Sequence, residues 1–122
     1  MTKILVIEDE ETVRENILEL LDAEGFEAIA AENGRIGLNL AQQHRPDLIL
    51  CDIRMPELDG YGVLSALRSE PETARIPFLF LTAKAAKTDV NLGMELGASN
   101  YITKPFTLVE LLRAIEAHTG VV

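Results

Sequence analysis

Several things are missing from this chain of 122 residues. It has a single cysteine. No internal disulfide can form, which fits a reducing compartment. No apolar run approaches membrane-spanning length, which excludes a transmembrane helix. Met1-Thr2-Lys3 runs straight into a strand-like pattern, without a charged region, apolar segment and cleavage site, so no signal peptide is expected. We therefore expect a cytoplasmic protein with no membrane partner. Basic residues are in short supply, 11 against 20 acidic, for a net charge of −9. Such a chain lacks the electrostatic footprint of a nucleic-acid binder. No repeat, low-complexity segment or linker interrupts it, and its length suits one domain, expected to span residues 1–122. An acidic excess alone means only a soluble surface. What matters is where some of the acids lie.

Short apolar runs alternate with helical periodicity along the whole chain. Ile4 to Ile7 is a continuous apolar run rich in β-branched residues, reads as a strand buried on both faces, and ends in Glu8-Asp9-Glu10-Glu11. Val13, Ile17, Leu20 and Leu21 recur at helical spacing, and Gly25 closes that helix. A weaker strand, Glu27 to Ala31, is followed by an Asn33-Gly34 turn. A helix with Ile36, Leu40 and Ala41 on its buried side ends before Pro46. The third strand, Asp47 to Cys51, stops on Asp52, ahead of a loop stiffened by Pro56 and closed by Asp59-Gly60. Tyr61, Leu64 and Leu67 mark the third helix. Ile76 to Leu81 is the fourth strand, ending at Thr82-Ala83-Lys84.

The fourth helix, residues 87–96, has the weakest periodicity, carried by Val90, Met94 and Leu92. Gly93 in its interior costs about 1 kcal/mol relative to Ala. Gly97 stops it, and Ser99 to Thr103 is the fifth strand. The last helix has the strongest local signature. Thr107 and Glu110 form a capping box, and Phe106 and Leu111 stand at the hydrophobic-staple positions. Leu108, Leu111, Leu112 and Ile115 give its buried face, and Gly120 its stop.

Strand followed by helix, five times over, implies an α/β doubly wound parallel sheet with helices on both faces. The expected strand order is 2-1-3-4-5, as in flavodoxin-like folds. The first and third strands are then neighbours, and a crevice opens above their tips where Asp9 and Asp52 should meet. Four strand ends converge there, bringing Glu8 and Asp9, Asp52, Thr82, and Lys104-Pro105. Three carboxylates so close stay ionised only if something positive joins them. A hard cation with oxygen ligands suits the task, and Mg²⁺ often completes its shell with phosphate. Lys104 adds a compact positive charge and Thr82 a hydroxyl donor. Acids, a divalent cation, a lysine and a hydroxyl make a phosphoryl-transfer site in which a carboxylate can be the nucleophile.

These residues carry a resemblance. Glu8-Asp9, the run Asp52-Ile53-Arg54-Met55-Pro56-Glu57-Leu58-Asp59-Gly60, Thr82-Ala83, and Gly97 through Phe106 resemble the receiver domain of two-component response regulators, of the single-domain, chemotaxis-regulator type. The resemblance runs from Lys3 to about His118. It implies that Asp52 accepts a phosphoryl group from the phosphohistidine of a sensor histidine kinase or phosphotransfer protein. It implies Mg²⁺, or Mn²⁺ in its place, held by Asp9, Asp52 and the backbone carbonyl of Arg54, with Glu8 acting through water. Lys104 would pair with the phosphoryl group, ahead of a cis peptide bond to Pro105. Thr82 and the Ala83 amide would hold phosphoryl oxygens, and Tyr101 would swing inward as Thr82 moves. The output face would be the fourth helix, fifth strand and fifth helix, addressing a downstream protein or output domain and serving in this family as a frequent dimer contact. Such a domain catalyses only its own phosphorylation and slow dephosphorylation and is not a conventional enzyme. Asn100 departs from the pattern, standing where an acid is common. Arg54 and Lys84 occupy positions that influence hydrolysis of the aspartyl phosphate in this family.

Other readings of single residues are plainer. Glu10 and Glu11 suit a helix N-terminus, Asp59 a helix cap, and Cys51 a small buried hydrophobe. Met55 and Met94 read as packing residues, and His44 and His118 as solvated. Two other functions fit the fold class. An FMN carrier needs a hydroxyl- and glycine-rich loop after the first strand, where Glu8-Asp9-Glu10-Glu11 would repel the flavin phosphate. An aspartyl phosphatase usually needs a second acid two residues after the nucleophile, where Arg54 stands. A chain this short is either a stand-alone regulator or a receiver cut from a longer protein.

Overall fold

The computed structural model describes residues 1–83 and 87–120, with the backbone alone for residues 87–90. Strands and helices alternate as β1 (Lys3–Ile7), α1 (Glu11–Ala23), β2 (Glu27–Ala31), α2 (Gly34–His44), β3 (Leu48–Asp52), α3 (Gly60–Arg68), β4 (Phe78–Thr82), α4 (Lys87–Glu95), β5 (Asn100–Thr103) and α5 (Leu108–Thr119). Every pairing is parallel and the sheet order is β2-β1-β3-β4-β5. The expected fold class and topology are those observed.

The continuous apolar strands are what a sheet covered on both faces requires. Successive side chains point to opposite faces, so each strand feeds two cores. Ile4, Val6, Leu48, Leu50, Leu79, Leu81 and Ile102 meet Ile17 and Leu21 of α1 and Leu111 and Ile115 of α5. Leu5, Ile7, Ile49, Cys51, Phe78 and Phe80 meet Ala41 of α2 and Val63, Leu64 and Leu67 of α3. Helix starts are set locally. The Asn33 side chain accepts from the Ile36 amide at 2.8 Å, and Asp59 from the Gly62 amide at 2.9 Å. Thr107 and Glu110 close the expected capping box, with the Thr107 hydroxyl accepting from the Glu110 amide at 3.1 Å.

The structure departs from the sequence reading where packing outweighs local pattern. Strand β4 begins at Phe78, not Ile76, because Pro77 has no N–H to give a ladder. Helix α2 turns Gly34, Gly37 and Ala41 inward, so small residues seat it close to the sheet and Ile36 is exposed. In α4 the expected core residues Leu92 and Met94 are 43% and 44% exposed, and Gly93 between them is buried. The Val90 side chain lies outside the described residues. Leu108 and Leu112 are only half-buried, and α5 rests mainly on Leu111 and Ile115.

Gly93 marks close approach rather than weakness. A Cβ there would lie 2.6 Å from Cε2 of Phe80. The Phe80 ring is 2% exposed and boxed edge-on by Tyr61 and Phe78 at centroid distances of 5.5 and 5.1 Å, so it has little room to yield. Alanine would gain about 1 kcal/mol of helix propensity and meet an overpacking cost of about 1–3 kcal/mol. Urea unfolding of Gly93→Ala should therefore show a net loss of roughly 1 kcal/mol. A gain in stability would mean that α4 does not rest on Phe80.

Candidate functional site

The site forms because ladder register and strand parity agree. Ile7 stands opposite Cys51 in the β1–β3 pairing. The next residues along, Glu8 and Asp52, are therefore neighbours at the two tips. Glu8 continues the alternation of Ile4 and Val6, Asp52 that of Leu48 and Leu50, and Lys104 that of Ile102. All three belong to the α1–α5 side of the sheet. Their meeting is visible in the distances. Lys104 Nζ donates to Glu8 Oε1 at 2.9 Å and lies 3.6 Å from Asp52 Oδ2. Asp52 Oδ1 accepts from the Ile53 amide at 2.9 Å, and Glu8 Oε2 from the Glu10 amide at 3.3 Å. Glu8 is fully buried, Asp52 is 8% exposed, and Asp9 is open to solvent. Carboxylate oxygens of all three lie within 4.8 Å of one another.

Their charges are not independent. Burial, then the hydrogen bond and charge of Glu8, push Asp52 up to about 7, with only partial relief from Lys104 and the Ile53 amide. Burial also opposes ionisation of Glu8, but hydrogen bonds from Lys104, Asp52 and the Glu10 amide outweigh it and hold Glu8 below its ordinary value. Asp9 is raised by burial and by the adjacent Glu8. Burial disfavours the Lys104 charge, yet Glu8 and Asp52 together raise its pKa. Lys104 is thus committed chiefly to Glu8, and its more distant charge does not offset the burial and the Glu8 carboxylate that push Asp52 up to about 7. Buried beside them, the Cys51 thiol is pushed well up by burial and is inert. Three hard oxygen donors with one side open to water suit Mg²⁺, which prefers carboxylates and retains waters. The partly neutralised Asp52 is the charge deficit that a divalent cation would fill.

The other expected site residues are placed as follows. Thr82 is buried at the end of β4, one register step beyond Asp52, on the parity of Phe80. Ala83 follows it, exposed, and shares the lining of an 840 Å³ groove with Lys104 and Pro105. The Lys104–Pro105 peptide bond is cis. Arg54 is exposed beside a shallow cleft with Met55, Pro56 and Asp59. Tyr101 is 40% exposed on edge strand β5, away from the carboxylates, in register with Phe80 and hence on the face of Thr82. Lys84 lies outside the described residues. The β3–α3 loop folds back so closely that a Cβ on Gly60 would collide with the Asp52 carbonyl oxygen, and the Gly60 amide donates to the Ile53 carbonyl at 2.9 Å.

Sequence reasoning missed Arg14. Its Nη1 donates to the Glu8 carbonyl at 2.8 Å. The available signal was a lone cation one helical turn after an unbroken acidic run.

Comparison with known proteins agrees with this geometry. The family model described as "Response regulator receiver domain" matches residues 4–116. A protein of Picosynechococcus sp., named as a probable transcriptional regulatory protein, is 44% identical over 122 residues, covering 94% of this chain. This chain spans about half (48%) of that relative's length. Protein PilH of Pseudomonas aeruginosa is 38% identical over 117 residues, covering 96% of this chain and 97% of PilH. The receiver domain of the sensor histidine kinase PA1611 of P. aeruginosa, solved with a magnesium ion in its active-site cleft, superposes with a TM-score of 0.91 at 31% identity, covering 98% of both chains.

The raised Asp52 pKa has a consequence for stability. The folded protein holds a proton on Asp52 up to about 7, whereas the unfolded chain releases it near 3.9. The stability that this proton contributes to the metal-free protein is therefore lost as pH rises between those values, and that contribution is gone above 7. Asn keeps an acceptor for the Ile53 amide and carries no charge. Thermal unfolding of metal-free Asp52→Asn at pH 8 should show a gain of about 1–3 kcal/mol over wild type, fading below pH 4. A pH-independent difference would remove the electrostatic explanation.

Proposed function

The chain belongs to the response regulator receiver domain family of two-component signalling, and from that premise we propose that Asp52 is its phosphoryl acceptor and that the carboxylates around it hold Mg²⁺. The observation that carries the proposal is the convergence of Glu8, Asp9 and Asp52 within 4.8 Å, joined by Lys104 from the far end of the chain. The donor would be the phosphohistidine of a sensor histidine kinase or phosphotransfer protein. A carboxylate oxygen of Asp52 attacks phosphorus. The O–P bond forms as the P–N bond breaks, and the electron pair returns to the imidazole nitrogen, which takes up a proton. Asp52 must be ionised to attack, so its shared proton has to leave first.

Glu8 and Asp9 would hold the cation with Asp52, Asp9 directly and Glu8 largely through water. The Arg54 carbonyl would complete the protein's ligands. When bound, Mg²⁺, or Mn²⁺ in its place, would neutralise charge on the phosphoryl oxygens. Lys104 rests on Glu8 at 2.9 Å, with Asp52 Oδ2 at 3.6 Å. A phosphoryl group on Asp52 would draw the ammonium from one carboxylate to the other. Thr82 and the Ala83 amide, at the neighbouring tip, would receive the remaining oxygens.

The output is a population shift, since ligands that favour one of two conformers move the balance between them. Thr82 and Tyr101 lie on one face of the sheet, on adjacent strands. That arrangement supports the reading that Thr82 moving toward the phosphoryl group frees space into which the exposed Tyr101 turns. Partners would then read the face made by α4, β5 and α5, as a downstream protein, an output domain or a second copy of the chain. Residues 1–122 are read as one receiver domain, working in the cytoplasm and turning over no substrate but its own phosphoryl group. Among the described residues no helix is long and apolar enough to cross a membrane.

Incubation with Mg²⁺ and acetyl phosphate, followed by intact-mass measurement, tests the assignment. Wild type should gain one phosphoryl group, Asp52→Asn none, and wild type without Mg²⁺ none. Full phosphorylation of Asp52→Asn would move the acceptor elsewhere.

A further inference from the structure

We propose that Arg14 is the positioning residue of the cation site, clasping the corner that presents Asp9. The inference rests on the reading that Glu8, Asp9 and Asp52 hold a divalent cation. Of these three, Glu8 is held by Lys104 and the Glu10 amide, and Asp52 by its strand and the Ile53 amide. Asp9 is the exposed member, one residue past the last β1 rung, where the Glu8 amide donates to the Ala31 carbonyl at 3.1 Å. The place of its carboxylate therefore depends on the backbone on either side of it. Arg14 holds both sides. Its guanidinium Nη1 donates to the Glu8 carbonyl at 2.8 Å, and its own backbone amide donates to the Glu10 carbonyl at 2.9 Å.

One residue thus brackets Glu8-Asp9-Glu10 from within the first turns of α1, and couples the helix start to the tip of β1. Mg²⁺ tolerates little departure from octahedral geometry, so a loosened corner should weaken binding. A guanidinium suits the task because it stays charged and its donors are fixed in a plane. It lines the same groove as Asp9, beside Asn33 and Pro56. Its charge alone would repel a cation, so positioning and simple electrostatics predict effects of opposite sign.

Calorimetric titration with Mg²⁺ alone separates the possibilities. Arg14→Met, which removes charge and donors at similar length, should raise the Mg²⁺ Kd at least fivefold. Arg14→Lys, which keeps a charge and a donor, should stay within twofold of wild type. Arg75→Met, at an exposed position between α3 and β4, should leave Kd unchanged. Acetyl phosphate labelling should slow for Arg14→Met at low Mg²⁺ and recover to within twofold at saturating Mg²⁺. If Arg14→Met does not fold, Arg14→Gln takes its place. A lower Kd would assign Arg14 a purely electrostatic role, and an unchanged Kd with a lowered Tm a purely structural one. Either result overturns the proposal. Failure of wild type itself to bind Mg²⁺ would instead remove the cation reading on which the inference stands.

Discussion

Two carboxylates side by side at the tip of a buried sheet are the constraint that the molecule is built around. Glu8 and Asp52 are taken out of water by the same strands that make the core, and neither can be ionised cheaply there. Lys104, ninety-six positions from Glu8 in the chain, supplies one positive charge for the two of them. Glu8 secures it at hydrogen-bonding distance and Asp52 is left short, with its pKa near neutrality. With Asp9 added, three carboxylates face one lysine, and a cluster two positive charges short of neutrality when ionised suits a divalent cation. The ion pair also joins the residue after β5 to the residue after β1, with two strands between them in the sheet.

Both faces of the sheet carry a buried core, and α4 stands apart in the way it meets its face. The strands β1, β3 and β4 are buried almost without interruption. Helices α1 and α5 lie over one face with large aliphatic side chains. Across the other face, α4 meets the sheet through a glycine against Phe80 and shows Leu92 and Met94 to solvent. Among the described side chains of α4, the contact with Phe80 is made by a glycine, and such a contact is easier to shift than one locked by leucines. Tyr101 stands exposed on the edge strand β5. Within the face proposed to carry the signal, α5 is anchored by Leu111 and Ile115, while α4 sets a glycine against the sheet.

Much of this was legible in the residues. The short apolar runs, the capping box at Thr107 and Glu110, and the alternation of strand with helix lead to the topology directly. The acids at the ends of the first and third apolar runs and the lysine before Pro105 lead to the site. The misreadings on α2 and α4 share one cause. Ile36, Leu92 and Met94 have the hydrophobicity and spacing of core residues, yet small neighbours, Gly37 and Gly93, occupy the contact. Periodicity counts apolar side chains and does not register a close approach that needs no side chain at all. Arg14 escaped notice for a related reason, since its partner is a backbone carbonyl, which any sequence carries at every position.

By itself, then, the sequence determined fold class, strand order and the list of chemical groups at the strand tips. Those follow from short-range periodicity and from the handedness of parallel connections. Tertiary structure decided how the groups are shared. That Lys104 sits closer to Glu8 than to Asp52, that burial pushes Asp52 up to about 7, and that Arg14 reaches the Glu8 carbonyl beside Asp9 are all matters of distance and burial. Electrostatic energies vary steeply with both, and neither is encoded by any local stretch of chain.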